Sequence, residues 1–410
     1  MAVIGLWLTY AAAAAAALWL ARRYASPIPA RAGLALALLP LLFVGRAMLT
    51  GGVYGPSDLY FEADPWRHLP IAREVGPPRN PILSDLAFAN IPWRAAVREA
   101  VVNGRVPLWN RFVLGGNPLV GAAQAGVFHP STVLGLWLPL PMSWTFSCAF
   151  TLFLALLSAF VLFREYGLGV RAAVVGAMGW GFSTYVVFWN GWSVGPSTAT
   201  FPLLVLGLRR LAHGSGRGGV GLTATALCLS LLGGHPESVL HTAAAGGVCF
   251  LWELFTSRDA RERRGRAIGG ALAAGVLAAL LTGPQLFPLL EALPHSAEYR
   301  QRRHALEVGP ARQSVSLSES LPRLLPDLLP FSHGIYGRSA VEERDDGSGM
   351  PLGYAGAVLF PLGALAFAGG TRRRERWLFL VLAAAGVGYG ASAPGLLDVT
   401  SRLPGFALAL

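Results

Sequence analysis

The sequence contains no lysine, and only 13% of its 410 residues are charged. A soluble domain carries about twice that share of charge. The deficit excludes a disordered, highly charged chain and argues against a soluble enzyme. All 33 basic residues are therefore arginine, and 22 acids leave a formal net charge of +11. Cysteine is also scarce: Cys148, Cys228 and Cys249 lie in apolar runs and cannot make a disulfide framework. No Walker loop, nucleophile elbow or zinc-protease helix is present, and no solenoid-length repeat recurs.

What is abundant is apolar sequence: 53% of residues are hydrophobic and mean hydropathy is +0.49. A bilayer-crossing helix needs about 20 apolar residues. Ten runs come near that length: 2–21, 32–49, 144–163, 172–189, 191–208, 218–233, 238–255, 267–290, 352–370 and 377–393. The expected fold is thus an all-α polytopic membrane protein. Residues 131–142 are too short and proline-broken to span, and read as an interfacial or re-entrant piece.

Seventeen arginines fall in five short connections, 22–31, 164–171, 209–217, 258–266 and 372–376, against 4 acids. These are alternate connections, as the positive-inside rule requires of cytoplasmic loops. The expected N-terminus is outside, and both long loops, 50–143 and 291–351, are exported. Trp19, Trp252 and Trp377 flank the cytoplasmic loops, while Trp144, Trp189 and Trp192 mark the outer interface as an aromatic belt. Arginines Arg22 and Arg23 follow the first apolar run instead of preceding it, which suits a retained anchor better than a signal peptide. The basic pI does not imply nucleic acid, because the arginines are scattered on membrane-side loops with no recognition motif.

The chain accordingly divides into two N-terminal spans (1–49), a first outer loop with interfacial helices (50–143), a six-helix membrane region (144–290), a second outer loop (291–351), and two last spans with an outer segment (352–410). It stops in apolar sequence without a polar tail, which reads as a truncation. The middles of the spans are almost free of charge; Arg46 and Glu253 lie near span ends, where both can snorkel. An ion-coupled transporter would carry midplane carboxylates.

The polar residues of interest gather on the outer side. The first outer loop holds Asp58, Glu62, Asp64 and Asp85. Pro92, then Trp93, Ala96, Val97, Ala100 and Val101 at helical spacing, then Asn103-Gly104, predict a helix lying apolar side down on the membrane, with Arg94 and Arg98 on a polar flank. Those arginines are either solvated or grip a lipid phosphate. Residues 104–130 read as a tight, irregular loop. Its Asn110 and Gln124 either bind sugar hydroxyls or satisfy the loop's own backbone, and His129 closes it. A second node, GGHPESVLH, places His235 and Glu237 as an acid/base pair, as metal ligands or simply as part of a turn. Two ligands make a weak metal signal, and no metal or other cofactor is expected. In the second outer loop, Arg300, Arg302 and Arg303 form a cluster able to meet a phosphate, with a solvated charge run as the alternative.

Several runs, in order, carry a resemblance: SDLAFANIPWRAAVREAVVNGRVPLWNRFVLGGNPLVGAAQAGVFHP, LLGGHPES, TGPQLFPLLEALPHSAEYR, LLPFSHGIYG and MPLGYAGAVLFPLGALAF. With them the chain resembles the YfhO family of bacterial integral membrane proteins. Members are usually longer, and the second N-terminal span and residues 50–80 have no counterpart in the family pattern. The resemblance implies a GT-C type glycosyltransferase. Such a protein moves a sugar from a polyprenyl-phosphate carrier to an envelope glycopolymer, lipid or protein acceptor on the outer face of the bacterial inner membrane. In that architecture an acidic residue of the first outer loop acts as general base; the matching position is Asp85. Asp58, Glu62 and Asp64 are rivals by distance from the second span. Arg94, Arg98, Arg105 and Arg111 are then candidate phosphate partners, and Asn110, Gln124, His129, His235 and Glu237 candidate pocket residues. The competing classes are a transporter or flippase for a lipid-linked sugar, and a non-catalytic envelope-assembly scaffold.

Overall fold

A computed structural model describes residues 1–78, 80–257, 261–308, 316, 318, 359–369, 372–390, 392–393, 395–403 and 405–406. Expectations placed on the runs LLPFSHGIYG and MPLGYAG lie outside these residues. The described chain is mostly helical, and its one sheet there is a two-stranded antiparallel pair, β1 (Trp109–Asn110) with β2 (Asn117–Pro118). Its main helices are α1 (Ala2–Tyr24), α2 (Ala30–Leu38), α3 (Leu41–Thr50), α4 (Ile91–Val102), α5 (Leu140–Glu165), α6 (Val170–Gly181), α7 (Phe201–Ala212), α8 (Gly216–Gly233), α9 (Pro236–Thr256), α10 (Arg264–Leu281), α11 (Ala297–Val308) and α12 (Arg373–Gly390).

Among the described residues four helices, α1, α5, α9 and α10, are long and apolar enough to cross a membrane, and up to six spans result if each of two bent pairs counts as one. The ten expected runs are therefore recovered as membrane-length helices only in part, for local reasons. Run 32–49 bends by 68° between α2 and α3; Pro40 lies at the break and has no N–H to continue the ladder. Run 172–189 bends by 55° after α6, where the Ser183 side chain caps a new helix by accepting from the Val186 amide. Run 191–208 is divided at Thr200 into a short helix, Val194–Ala199, and α7. Run 267–290 is divided at Thr282 between α10 and Gly283–Ala292.

Helix α5 is the centre of the molecule. It is apolar all round, as a helix packed on every side must be; 89% of its most apolar window is buried. Phe146, Phe153 and Phe160 are fully enclosed, and α1, α3, α6 and α7 pack around it. Its two ends separate two chemistries. At the Glu165 end, all five arginine-rich connections meet. Arg210 donates to the Tyr24 and Ala25 carbonyls and pairs with Glu165 at 2.8 Å. Arg263 donates to the His213 carbonyl and Arg372 to that of Gly167. Glu253 does not snorkel to water, as its place near a span end suggests. It is buried between Arg209, Arg374 and His213, which supply three donors to one carboxylate.

At the Leu140 end the first long loop folds onto the bundle. The Thr145 hydroxyl donates to the Gly52 carbonyl and the Trp144 indole to that of Tyr54. The outer aromatic belt is thereby corrected: Trp144 and Trp192 are buried, because their rings pack inside this end rather than against lipid. Trp19 and Trp377 remain exposed.

Candidate functional site

Helix α4 forms as the sequence predicts, with Pro92 in its first turn and Asn103 at its end. Its apolar face does not lie free on a membrane surface. Ala96 and Val97 pack against Leu119, Val120, Ala125 and Val127 of the following loop, so that α4 and residues 119–127 make a small core of their own. The loop between them turns back through the β1–β2 pair, where Asn117 faces Asn110. Asn110 serves the loop: its side-chain oxygen accepts from the Phe112 amide at 3.0 Å.

This small core carries the loop to the start of α9. Gly233 and Gly234 make the approach possible. A Cβ on Gly233 would collide with Ser197, and one on Gly234, which has φ 92°, with the Ala123 carbonyl. The result is a cleft of about 1170 Å³ where the first loop, α9 and α11 meet. Trp93, Leu108, Val120, Leu240 and Leu289 supply apolar wall, while Gln124, His235, Glu237, Arg300 and Arg302 supply polar groups. His235 caps α9, its Nδ1 accepting from the Ser238 amide at 3.2 Å, and burial lowers its pKa. Glu237 is ion-paired with Arg302, which also holds Glu298 at 2.8 Å.

The other candidates lie elsewhere. Asp85 is exposed at the start of the Leu86–Asn90 turn and lines neither this cleft nor the cavity described next; its backbone carbonyl accepts from the Asn90 side-chain Nδ2 at 3.1 Å. Arg98 donates to the Leu138 carbonyl at 2.9 Å. Arg105 and Arg111 both pair with Glu99, at 2.6 and 2.9 Å. Among the described residues, the arginines that line the cleft are Arg300 and Arg302, of the second loop.

Arg94 is not on a solvated flank. It is buried at 8% exposure, with its guanidinium 5.8 Å from the Trp144 ring, and lines a second cavity of about 20 Å³. His129 and Asn190 also line it, and Gln124 borders both cavities. Burial lowers the pKa of Arg94 to about 10. Burial and then the Arg94 charge lower that of His129 to about 3, so the imidazole is neutral. Asn190 lies in the apolar run YVVFWNGW and is not among the sequence candidates; the signal available for it is a lone amide among aromatics. Among the described residues no three His, Cys, Asp or Glu gather as metal ligands. No family model matches the chain, and neither a curated protein nor a solved structure does.

Proposed function

We propose that the chain is a membrane glycosyltransferase. It moves a sugar from a polyprenyl-phosphate carrier to an envelope acceptor on the outer face of the bacterial inner membrane, with its N-terminus and long loops outside. The observation that supports this reading best is the cleft: it joins apolar wall, suited to a lipid tail, to Arg300 and Arg302, suited to its phosphate, and to Gln124, His235 and Glu237, suited to sugar hydroxyls. In the transfer, the acceptor oxygen attacks the anomeric carbon, the bond to the phosphate oxygen breaks, and the polyprenyl phosphate leaves with the electron pair. A carboxylate takes the acceptor proton, and the arginines steady the leaving phosphate. The resemblance assigns that carboxylate to Asp85. The cleft itself offers Glu237, freed as Arg302 turns from it to the phosphate.

The test is transfer in reconstituted vesicles supplied with a polyprenyl-phosphate sugar, comparing wild type with Asp85→Asn and Glu237→Gln. Loss of the base should slow transfer by about 10²–10⁴-fold, and the variant that shows this loss identifies it. Movement of the lipid-linked sugar across the vesicle without transfer would replace the enzyme reading by the transporter. Neither movement nor transfer by wild type would favour the scaffold.

A further inference from the structure

The small cavity behind Trp144 is built for something the transfer reaction does not use. It is lined by Arg94, which is more than nine-tenths buried, and by no carboxylate. Among the described residues the Arg94 Nη1 has no hydrogen-bond partner, nor have His129 Nε2 and both amide atoms of Asn190. His129 and Asn190 are 1% and 4% exposed. The imidazole tautomer follows from its neighbours: Nδ1 accepts from the Ser131 amide at 3.2 Å, so the proton of the neutral ring sits on Nε2. The cavity is therefore bordered by one positive charge and two neutral side chains that carry N–H groups without acceptors.

A buried cation without a counter-charge is costly, and buried donors without acceptors are rare. An anion in the space would offset the charge and accept from these N–H groups; the Asn190 Oδ1, itself an acceptor, gains nothing from it. About 20 Å³ is space enough for one water-sized particle, and a bare halide ion is of that order of size. We propose that Arg94, His129 and Asn190 form a binding site for a single small monovalent anion of halide size, chloride in the cell, which neutralises Arg94 and ties the first long loop to the Asn190 turn. The site shares Gln124 with the cleft but does not depend on its transferase role.

Purified full-length chain is melted in chloride and in gluconate at equal ionic strength. The wild type should melt at a higher temperature in chloride, with stability rising with the logarithm of chloride concentration above the dissociation constant. Arg94→Met should lose that dependence yet be no less stable than wild type in gluconate, because an apolar side chain replaces an uncompensated charge. Asn190→Leu should weaken bromide binding roughly tenfold through the loss of one hydrogen bond to a charge. Bromide soaked into crystals of the wild type should give an anomalous peak beside Arg94, a result that needs no variant. Equal melting in chloride and gluconate, or a bromide peak absent from this cavity, would overturn the proposal; so would stabilisation by phosphate alone.

Discussion

Glu253 and Glu99 show how differently one carboxylate can count. Glu253 is 2% exposed and is ion-paired with both Arg209 and Arg374. Glu253→Gln leaves both guanidinium groups without this counter-charge and should destabilise the fold by about 3–5 kcal/mol in denaturant or thermal unfolding. Glu99 also meets two arginines, but its pairs with Arg105 and Arg111 are open to solvent. Glu99→Gln should cost at most about 1 kcal/mol, and less in high salt. His129 gives a pH dependence. Its folded pKa of about 3 lies below the ordinary imidazole value of 6.5, so between these values the unfolded chain binds a proton that the folded chain does not. Stability should therefore fall as pH drops from 6.5 toward 3, and His129→Gln should flatten that part of the profile.

Among the elements, α4 is the most instructive. Its start, length and stop follow from Pro92, the spacing of Ala96, Val97 and Ala100, and Asn103. The partner of its apolar face does not, since a membrane surface and a short loop both reward the same stripe. The loop wins here because Leu119, Val120 and Val127 cover it within the same chain. Leu119 is 2% exposed; Leu119→Ala should cost about 2–5 kcal/mol and loosen the first loop's approach to α9. Proteolysis of residues 104–118 should accelerate in that variant, while α5 stays protected.

For the whole molecule, the arginine pattern and the geometry agree on two ends. The connections 22–31, 164–171, 209–217, 258–266 and 372–376 meet through Arg210, Arg263, Arg372 and Arg374 at one end of α5. The cleft and the Arg94 cavity lie toward the other. Single cysteines at Gly216 and Asn103, in a background lacking Cys148, Cys228 and Cys249, should react with an impermeant thiol reagent from opposite sides of a sealed vesicle. Labelling of both from one side would refute the two-ended arrangement and the topology proposed with it.

The sequence by itself determined the helical, membrane-type character of the chain, because apolar runs and charge-poor composition leave little else. It also determined which connections share an end, since arginine is expensive inside a bilayer and is confined to alternate loops. It marked Gln124, His235 and Glu237 as polar residues worth attention, but their meeting depends on Gly233 and Gly234 allowing two distant segments to touch. Only the tertiary structure decided where helices bend and which cations reach the cleft. It also decided that Arg94, one turn from Arg98 on the same helix, is buried while Arg98 reaches the Leu138 carbonyl. Those outcomes depend on packing between segments far apart in the chain. The absence of lysine thus has its counterpart in the fold: arginine ties one end together, and Arg94 is buried at the other.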